Sequence, residues 1–473
     1  MNRYITTAIP YVNGVPHIGH AMDYCLADVC ARYYKMCGDN VRLQVGTDEH
    51  GNKIFQKARE LNIPVQEYVD TNADKFRKFV EKLNVSYTDF VRTTGTQHEQ
   101  GVREIWQRLS DHIYKAEYKG WYCTGCERYV TEKEYKENNG VCPDHLKAYE
   151  ELKEDNYYYR VSDYKEKIRQ AIETDEMKIL PSFRKKEILK LIEDTSDVSI
   201  SRPTTQLTWG VPVPGDDSQV MYVWMDALSN YITVLGYPKE RIDEWWPATV
   251  QFVGKDILRF HAILWPAMLM GLGLPLPKVL LSHGMITSNG QKMSKSIGNV
   301  VDPVEVIDKY GLEAFRYYFL RHADTFADSD FSWDKYDEAY NNELANDLGN
   351  LVQRLTTLAC KNGISIKDKK ENPEFSKEYK ELMEKYEFSK AFDLIWKKIQ
   401  MLNKRIDDEK PWMLAKNGEV ERLDDCMVSM INDLLQVNYE LAPFLPDTSS
   451  KIADLFLDNE IKVPAAPLFP KER

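Results

Sequence analysis

The chain has 473 residues, 43% of them hydrophobic and 12% aromatic, enough for roughly three domains with cores of their own. Its formal net charge of −12 excludes a protein that coats nucleic acid by mass electrostatics, so any RNA contact has to be local and set by shape. Eight cysteines in a chain this long do not make the disulfide framework of a small secreted domain; Cys25, Cys30, Cys360 and Cys426 fall in helical patterns.

The first residues run straight into a predicted strand over 4–8, with no apolar leader, cleavage signal or Arg/Ser-rich presequence, and a cytoplasmic location is the expectation. A loop over 10–16 follows. The spacing of Met22, Leu26, Val29, Tyr33 and Met36 then predicts a helix over 18–37, with Gly38 as its stop. A second strand over 41–45 completes a βαβ unit. His17 and His20 fall in the first turn of the helix, three apart on one face, beside the partial positive charge of its N-terminus, which is a place for an anionic ligand.

Residues 116–160 are dense in tyrosine and charge and read as part of an insertion. Within them Cys123-x-x-Cys126 and Cys142-x-x-His145 have zinc-knuckle spacing. Three thiolates and one imidazole with no open position suit a closed structural Zn2+ site, and Gly125 permits the tight turn between the first two sulfurs. The sheet is expected to resume at 221–224. The longest apolar stretch, 262–276, is interrupted by Pro266, Gly271, Gly273 and Pro275, too short and broken to span a bilayer. Lys292-Met293-Ser294-Lys295-Ser296 is a basic loop flanked by Gly290 and Gly298, which would let it close. From 328 onward strand-like runs disappear and helical periods take over, as at 344–358 and 388–406.

His17-Ile18-Gly19-His20 and Lys292-Met293-Ser294-Lys295-Ser296, in that order, resemble the signature pair of class I aminoacyl-tRNA synthetases. Further runs accompany them: Ala8-Ile9-Pro10-Tyr11-Val12-Asn13-Gly14, Gly46-Thr47-Asp48-Glu49-His50-Gly51, Val223-Trp224-Met225-Asp226-Ala227, Gly254-Lys255-Asp256-Ile257, Phe260-His261 and Ser282-His283-Gly284. With these the chain is similar to the methionyl-tRNA synthetase family as far as about Pro470. The resemblance implies an α/β fold with four parts. A Rossmann-type parallel-sheet catalytic domain is split between 1–115 and 223–286, around a connective insertion with the zinc knuckle at 116–222. A signature-loop and stem-contact region at 287–343 leads to an all-α helical bundle at 344–473 that binds the anticodon. The implied activity is that of a methionine–tRNA ligase, which activates L-methionine with ATP to methionyl-adenylate and transfers it to the terminal adenosine of tRNA(Met), initiator included.

The same resemblance assigns residues. ATP falls to His17, Gly19, His20, Asp256, Lys292, Ser294 and Lys295, with His17, His20, Lys292 and Lys295 as the catalytic group. Mg2+ is expected to arrive with ATP, since such sites supply few protein ligands. Methionine falls to Ile9, Tyr11, Asp48, Trp224, Ala227, Leu228, Tyr231 and His261, with Asp48 pairing the ammonium and aromatic walls suiting the thioether. Leu228 stands where some members have proline. The anticodon falls to Asn350, Arg354 and Trp412, and the basic runs Arg184-Lys185-Lys186 and Lys397-Lys398 are candidates for phosphate contacts. The stretch between His20 and Lys292 has room for the insert but not for the large editing domain of the leucine, isoleucine and valine enzymes. The chain ends at Arg473, where the family's core ends, without the oligonucleotide-binding domain that dimerises many bacterial members, so a monomer is expected. Two rival readings fit less well: a stand-alone nucleotidyltransferase would not need Asn350, Arg354 and Trp412, and a non-catalytic tRNA-binding relative would have lost its histidines or loop lysines.

Overall fold

The computed structural model describes residues 1–126, 128–288, 290–293, 299–366, 373–457 and 460–471. The chain forms two compact units, one of residues 1–16 and 38–283, the other of 17–37, which hold helix α1 (Ile18–Met36), together with 284–473.

The first unit is built on a six-stranded parallel sheet. Its strands are β1 (Asn2–Thr7), β2 (Asn40–Thr47), β3 (Asp89–Arg92), β4 (Lys178–Leu180), β5 (Val250–Gly254) and β6 (Val279–His283), in the spatial order β3-β2-β1-β5-β6-β4. Ile5 in β1 stands beside Leu43 on one side and Val250 on the other. β5 and β6 are almost wholly buried and largely apolar, with Gln251, Ser282 and His283 as their polar members, in keeping with parallel strands covered on both faces. β1 and β2 match the two predicted strands to within two residues at each end, and β4 comes from inside the 116–222 segment. Helices α2 (Thr96–Arg108) and α3 (Val223–Thr233) pack closely: a Cβ on Gly101 would lie 2.7 Å from the Thr233 methyl, so only glycine allows this approach.

The parallel sheet does not resume at 221–224. The strand Asp216–Met221 belongs to a separate antiparallel sheet with Pro212–Val213 and Ser201–Pro203, and one residue later α3 begins. A four-residue apolar run such as Met221-Tyr222-Val223-Trp224 has no period long enough to separate a strand from a buried helix. Nearer the N-terminus, Ile113–Cys123 and Glu150–Tyr159 pair in a long antiparallel hairpin from Ile113↔Tyr159 to Tyr122↔Glu150, and the Cys/His motif lies between its arms.

In the second unit α1 is buried nearly all round, Cys25 and Asp28 included, not only along the predicted stripe. Gly38 takes a φ of 85° just past its end, the left-handed turn expected of it. β7 (Ile286–Ser288) pairs antiparallel with β8 (Gln291–Lys292) and parallel with β9 (Ser329–Phe331). β9 lies beyond 328, where no strand was expected; three residues are too few to display a two-residue period. Helices α4 (Leu312–Arg321), α5 (Asn350–Lys361), α6 (Phe388–Glu409) and α7 (Pro411–Asn417) follow. The helix predicted over 344–358 is divided, with π-helical Ala339–Gly349 running into α5. Tyr317 of α4 and Trp396 of α6 have ring centroids 4.5 Å apart in its core. None of the eight cysteines is in a disulfide. Among the described residues no helix is long and apolar enough to cross a membrane.

Candidate functional site

Ligands of open α/β sheets sit beyond the carboxyl ends of the strands, and that edge carries Ile9 and Tyr11 after β1, Asp48 after β2 and Asp256 after β5. Asp48 is buried and held by backbone on both sides: its N–H donates to Pro10 O at 2.9 Å, and Val12 N–H donates to its carbonyl at 3.1 Å. This pairs Tyr11 with Asp48 in a single parallel bridge. A Cβ on Gly46 would stand 2.3 Å from Val91 O and 3.1 Å from the Ile9 side chain, so a glycine is needed for β3 to pass this close to β2 beside Ile9. The next residue is fixed just as firmly. Glu49 is fully buried and grips Arg92 through two 2.7 Å bonds, while Thr47 Oγ1 donates to it at 2.6 Å and Thr94 Oγ1 also donates. Trp209 Nε1–H donates to the Glu49 carbonyl at 2.6 Å. Asp256 is exposed, in a turn.

On α3, Trp224, Ala227, Leu228 and Tyr231 fall on one face by helical spacing. Trp224 stacks on Phe260 with centroids 4.1 Å apart and meets His261 edge-on at 6.0 Å. His261 Nδ1 lies 3.1 Å from Ile257 O, and a carbonyl only accepts, so the proton is on Nδ1 and Tyr231 O–H donates to Nε2 at 2.7 Å. Burial pulls His261 down to about 4, which keeps it neutral. His261 sits in a π-helical turn, Phe260–Leu264, a local widening of the helix of the kind found at functional sites. The result is an apolar, aromatic wall with one neutral imidazole, suited to an uncharged side chain.

In the second unit His17 is the N-cap of α1 rather than part of its first turn. Its Nδ1 accepts from Gly19 N–H at 3.1 Å, and His20 Nδ1 accepts from His17 N–H at 3.2 Å, with the rings stacked 3.7 Å apart. Two Nδ1 acceptors make Nε2 the protonated nitrogen of each ring, a donor suited to an anion. Burial and the neighbouring His17 ring hold His20 well below its ordinary pKa. A Cβ on Gly19 would come 3.0 Å from the His17 ring, so this glycine gives the capping imidazole its room. The β7–β8 hairpin carries Lys292 opposite Thr287 and turns at Gly290, whose φ is 73°. Asp330 of β9 fixes that turn, accepting from Gly290 N–H at 2.6 Å and Thr287 Oγ1 at 2.8 Å. Ser294 and Lys295 lie outside the described residues, as does Gly298.

The four knuckle residues form one cluster, with ligand atoms all within 4.8 Å of one another. Cys126 Sγ is 3.6 Å from Cys142 Sγ and 3.5 Å from His145 Nδ1, and Cys142 Sγ is 3.6 Å from the same nitrogen. Such a group can hold a metal ion. Gly125 acts by size rather than by turning the chain, since a Cβ there would lie 2.3 Å from the His145 ring.

Of the residues assigned to the anticodon, Asn350 and Arg354 are one turn apart on α5, and Trp412 is on α7, 40% exposed. Arg354 Nη2 meets Asp407 Oδ1 near the end of α6 at 2.6 Å. Lys410, with a φ of 49°, makes the left-handed step that separates α6 from α7. The flanking basic runs are partly spoken for: Arg184 pairs with Glu187, Lys185 with Asp175, and Lys398 with the buried Glu440.

The family of class I tRNA synthetases (M) matches this chain over residues 3–151 and 145–356. The methionine–tRNA ligase of Thermotoga maritima is 39% identical, over 96% of this chain and 75% of that one. Methionine–tRNA ligase 1 of Bacillus cereus is 42% identical, over 97% and 74%. The chain belongs to the methionine–tRNA ligases. Among solved structures, the Mycobacterium tuberculosis methionyl-tRNA synthetase in complex with methionyl-adenylate matches it with a TM-score of 0.92 at 32% identity, over 99% of both chains.

In this methionine–tRNA ligase Glu49, His50 and Asp226 stand in the runs that carry the resemblance but receive no role from sequence reasoning, and Arg92, His98 and Trp209 are not singled out by it at all. A signal was present, because Asp48-Glu49-His50 puts three titratable side chains in a row at a strand end, where burial obliges each to find a partner. The partners themselves lie far off in sequence.

Proposed function

We propose that this ligase forms methionyl-adenylate and then methionyl-tRNA(Met) with the residues assigned above. The carboxylate of methionine attacks the α-phosphorus of ATP and pyrophosphate leaves; a ribose hydroxyl of the terminal adenosine then attacks the activated carbonyl and AMP leaves. Positioning and charge stabilisation carry most of such a reaction. Asp48 pairs with the ammonium group, Ile9 and Tyr11 cover it, and Trp224, Ala227, Leu228, Tyr231 and His261 enclose the thioether. Keeping His261 neutral suits that role. His17 and His20 offer Nε2–H groups to ATP, Lys292 and Lys295 neutralise the leaving phosphates with Ser294 beside them, and Asp256 positions the ribose or a magnesium-linked network. Mg2+ enters with the nucleotide.

What supports this reading is a buried carboxylate, Asp48, just past the end of β2, together with an aromatic wall that ends in a neutral imidazole, His261, in the helix after β5 of the same sheet. Pyrophosphate exchange into ATP across a panel of amino acids tests it, with methionine expected as the only efficient substrate. Stronger exchange with leucine or isoleucine, or none with any amino acid, would overturn it.

Zinc fits the Cys123, Cys126, Cys142 and His145 cluster. Tetrahedral Zn2+ with bonds of about 2.3 Å to sulfur and about 2.05 Å to nitrogen requires sulfur–sulfur edges of about 3.8 Å and sulfur–nitrogen edges of about 3.6 Å. The three edges among Cys126, Cys142 and His145, of 3.6, 3.5 and 3.6 Å, match within two-tenths of an ångström, and the Cys123 sulfur lies within 4.8 Å of the other ligand atoms. Such an ion supplies folding energy to the tip of the hairpin and no chemistry. For tRNA(Met), initiator included, Trp412 offers a stacking plane and Asn350 and Arg354 offer donors to base edges. A cytoplasmic monomer is part of the proposal, and a stable dimer in sedimentation at micromolar concentration would contradict the oligomeric state.

A further inference from the structure

The face of α3 opposite the methionine wall carries Asp226, Asn230 and Thr233. Asp226 is 1% exposed, and each of its carboxylate oxygens is taken by a different histidine. His50 Nδ1 lies 2.7 Å from Oδ2 and His98 Nε2 lies 2.8 Å from Oδ1. His50 belongs to the loop after β2, two residues beyond Asp48, and is itself buried against the Trp209 ring, with centroids 5.5 Å apart. His98 belongs to α2, and its other nitrogen lies 2.7 Å from Thr233 Oγ1 at the far end of α3. Gln44 of β2 adds a second tie to the same face, donating to Asn230 Oδ1 at 2.9 Å.

We propose that His50 and Asp226 are positioning residues for methionine: their bond locks the loop that presents Asp48 to the helix that presents Trp224, Leu228 and Tyr231, and so sets the distance between ammonium and thioether. The assignment rests on the methionine pocket proposed above. His98 occupies the second oxygen of Asp226 and stops the carboxylate from turning away from His50. One loop holds the charge partner and one helix holds the apolar wall, and a substrate whose two recognised ends lie a fixed number of bonds apart is read by the spacing between them. Selectivity by size alone is weak, roughly 10–200-fold for a methylene, so a fixed spacing adds discrimination that the wall cannot give alone.

The test compares His50→Asn with His50→Gln in pyrophosphate exchange. Asparagine can place an N–H near the position of Nδ1 and keep the bond to Asp226; glutamine carries its N–H one bond further and cannot keep it without moving the loop. We expect His50→Asn to stay within about threefold of wild type, and His50→Gln to raise the methionine KM about tenfold or more with the ATP KM unchanged, as loss of a hydrogen bond to a charged group does. The ratio of kcat/KM for methionine to that for its homologue one methylene longer should fall in His50→Gln and hold in His50→Asn. Equal behaviour of the two variants, or a parallel loss for methionine, its homologue and ATP, would make the network merely structural and overturn the proposal. Asp48→Asn is the control: if it leaves the methionine KM unchanged, the pocket reading fails and not the positioning alone.

Discussion

Arg316 Nη2 lies 2.8 Å from Asp28 Oδ2, and both side chains are fully buried. The guanidinium also donates from Nε to Phe444 O at 2.8 Å and from Nη2 to Pro443 O at 3.3 Å, so one side chain of α4 joins α1, the helix that begins at His17 and His20, to the residues that follow the helix Val420–Leu441. Removing one member of a buried pair leaves a charge without compensation and costs about 3–5 kcal/mol. Asp28 keeps a second partner in Arg32, 2.8 Å away, which puts the expected loss for Arg316→Ala at about 3 kcal/mol. Denaturant unfolding checks it. Replacing both residues by apolar ones of similar volume, as in Arg316→Met with Asp28→Leu, should recover only part of the loss, because the Phe444 and Pro443 carbonyls lose this donor and Arg32 loses its carboxylate.

The His50–Asp226 pair predicts a pH window. Burial pulls His50 down, but the carboxylate of Asp226, with Glu99 and Glu49 behind it, outweighs burial and raises it above 6.5. Burial pushes Asp226 up, and the two histidines overcome this and hold it at about 2, below its ordinary 3.8. A raised histidine stabilises fully below 6.5 and loses its contribution as pH rises through the folded value; a depressed carboxylate stabilises above 3.8 and loses its contribution as pH falls toward about 2. The pair is therefore worth most between about 4 and 6.5. The difference in Tm between wild type and His50→Asn, which keeps the bond but does not titrate, should be largest in that window and shrink as the pH is raised above it. A difference that grows with rising pH would reverse the sign and contradict the assignment.

How much could be read in advance depended on how far apart the partners lie along the chain. His17 and His20, the knuckle spacing and the stop at Gly38 are local, and a helix or a turn brings them together wherever they occur. His50 and Asp226 are 176 residues apart, His98 and Asp226 are 128, and no period links them; the packing of α2 on α3, possible because residue 101 is glycine, brings His98 to Asp226, and the loop after β2 brings His50. The short elements failed for a different reason. β9 and the end of Asp216–Met221 are too brief for a pattern, and the π-helical turns at Phe260–Leu264 and Ala339–Gly349 keep a nearly helical period while shifting which residues face inward.

One equivalent of zinc is expected to copurify with the chain, and Cys126→Ser should lower it. Cys123 and Cys142 are buried in a small cluster with Val130 and Tyr149 that has little apolar area of its own. Metal binding and folding are coupled at such sites. Chelation should therefore open the hairpin tip to limited proteolysis within 123–149 while the parallel sheet keeps its amide protection. Protein prepared without chelators and found free of metal by elemental analysis would count against the ion.

Trp412→Ala should impair aminoacylation of tRNA and leave methionine-dependent pyrophosphate exchange near wild type. The ring is 40% exposed on α7, a short helix set off from α6 by the left-handed Lys410 and started by Pro411, so it is presented to solvent on a rigid corner and is not a core residue. Exposed large aromatic side chains of this kind suit stacking on unpaired bases, each contact contributing about 1–3 kcal/mol, and the expected loss in kcat/KM for tRNA is roughly ten- to a hundredfold. Arg354 separates this reading from a packing role. Its guanidinium already leans on Asp407, so Arg354→Lys should keep the charge but lose the planar fork, and weaken tRNA charging less than Trp412→Ala does. If Trp412→Ala lowered the Tm and both activities together, the tryptophan would be structural and the anticodon contact would move elsewhere on the helical bundle.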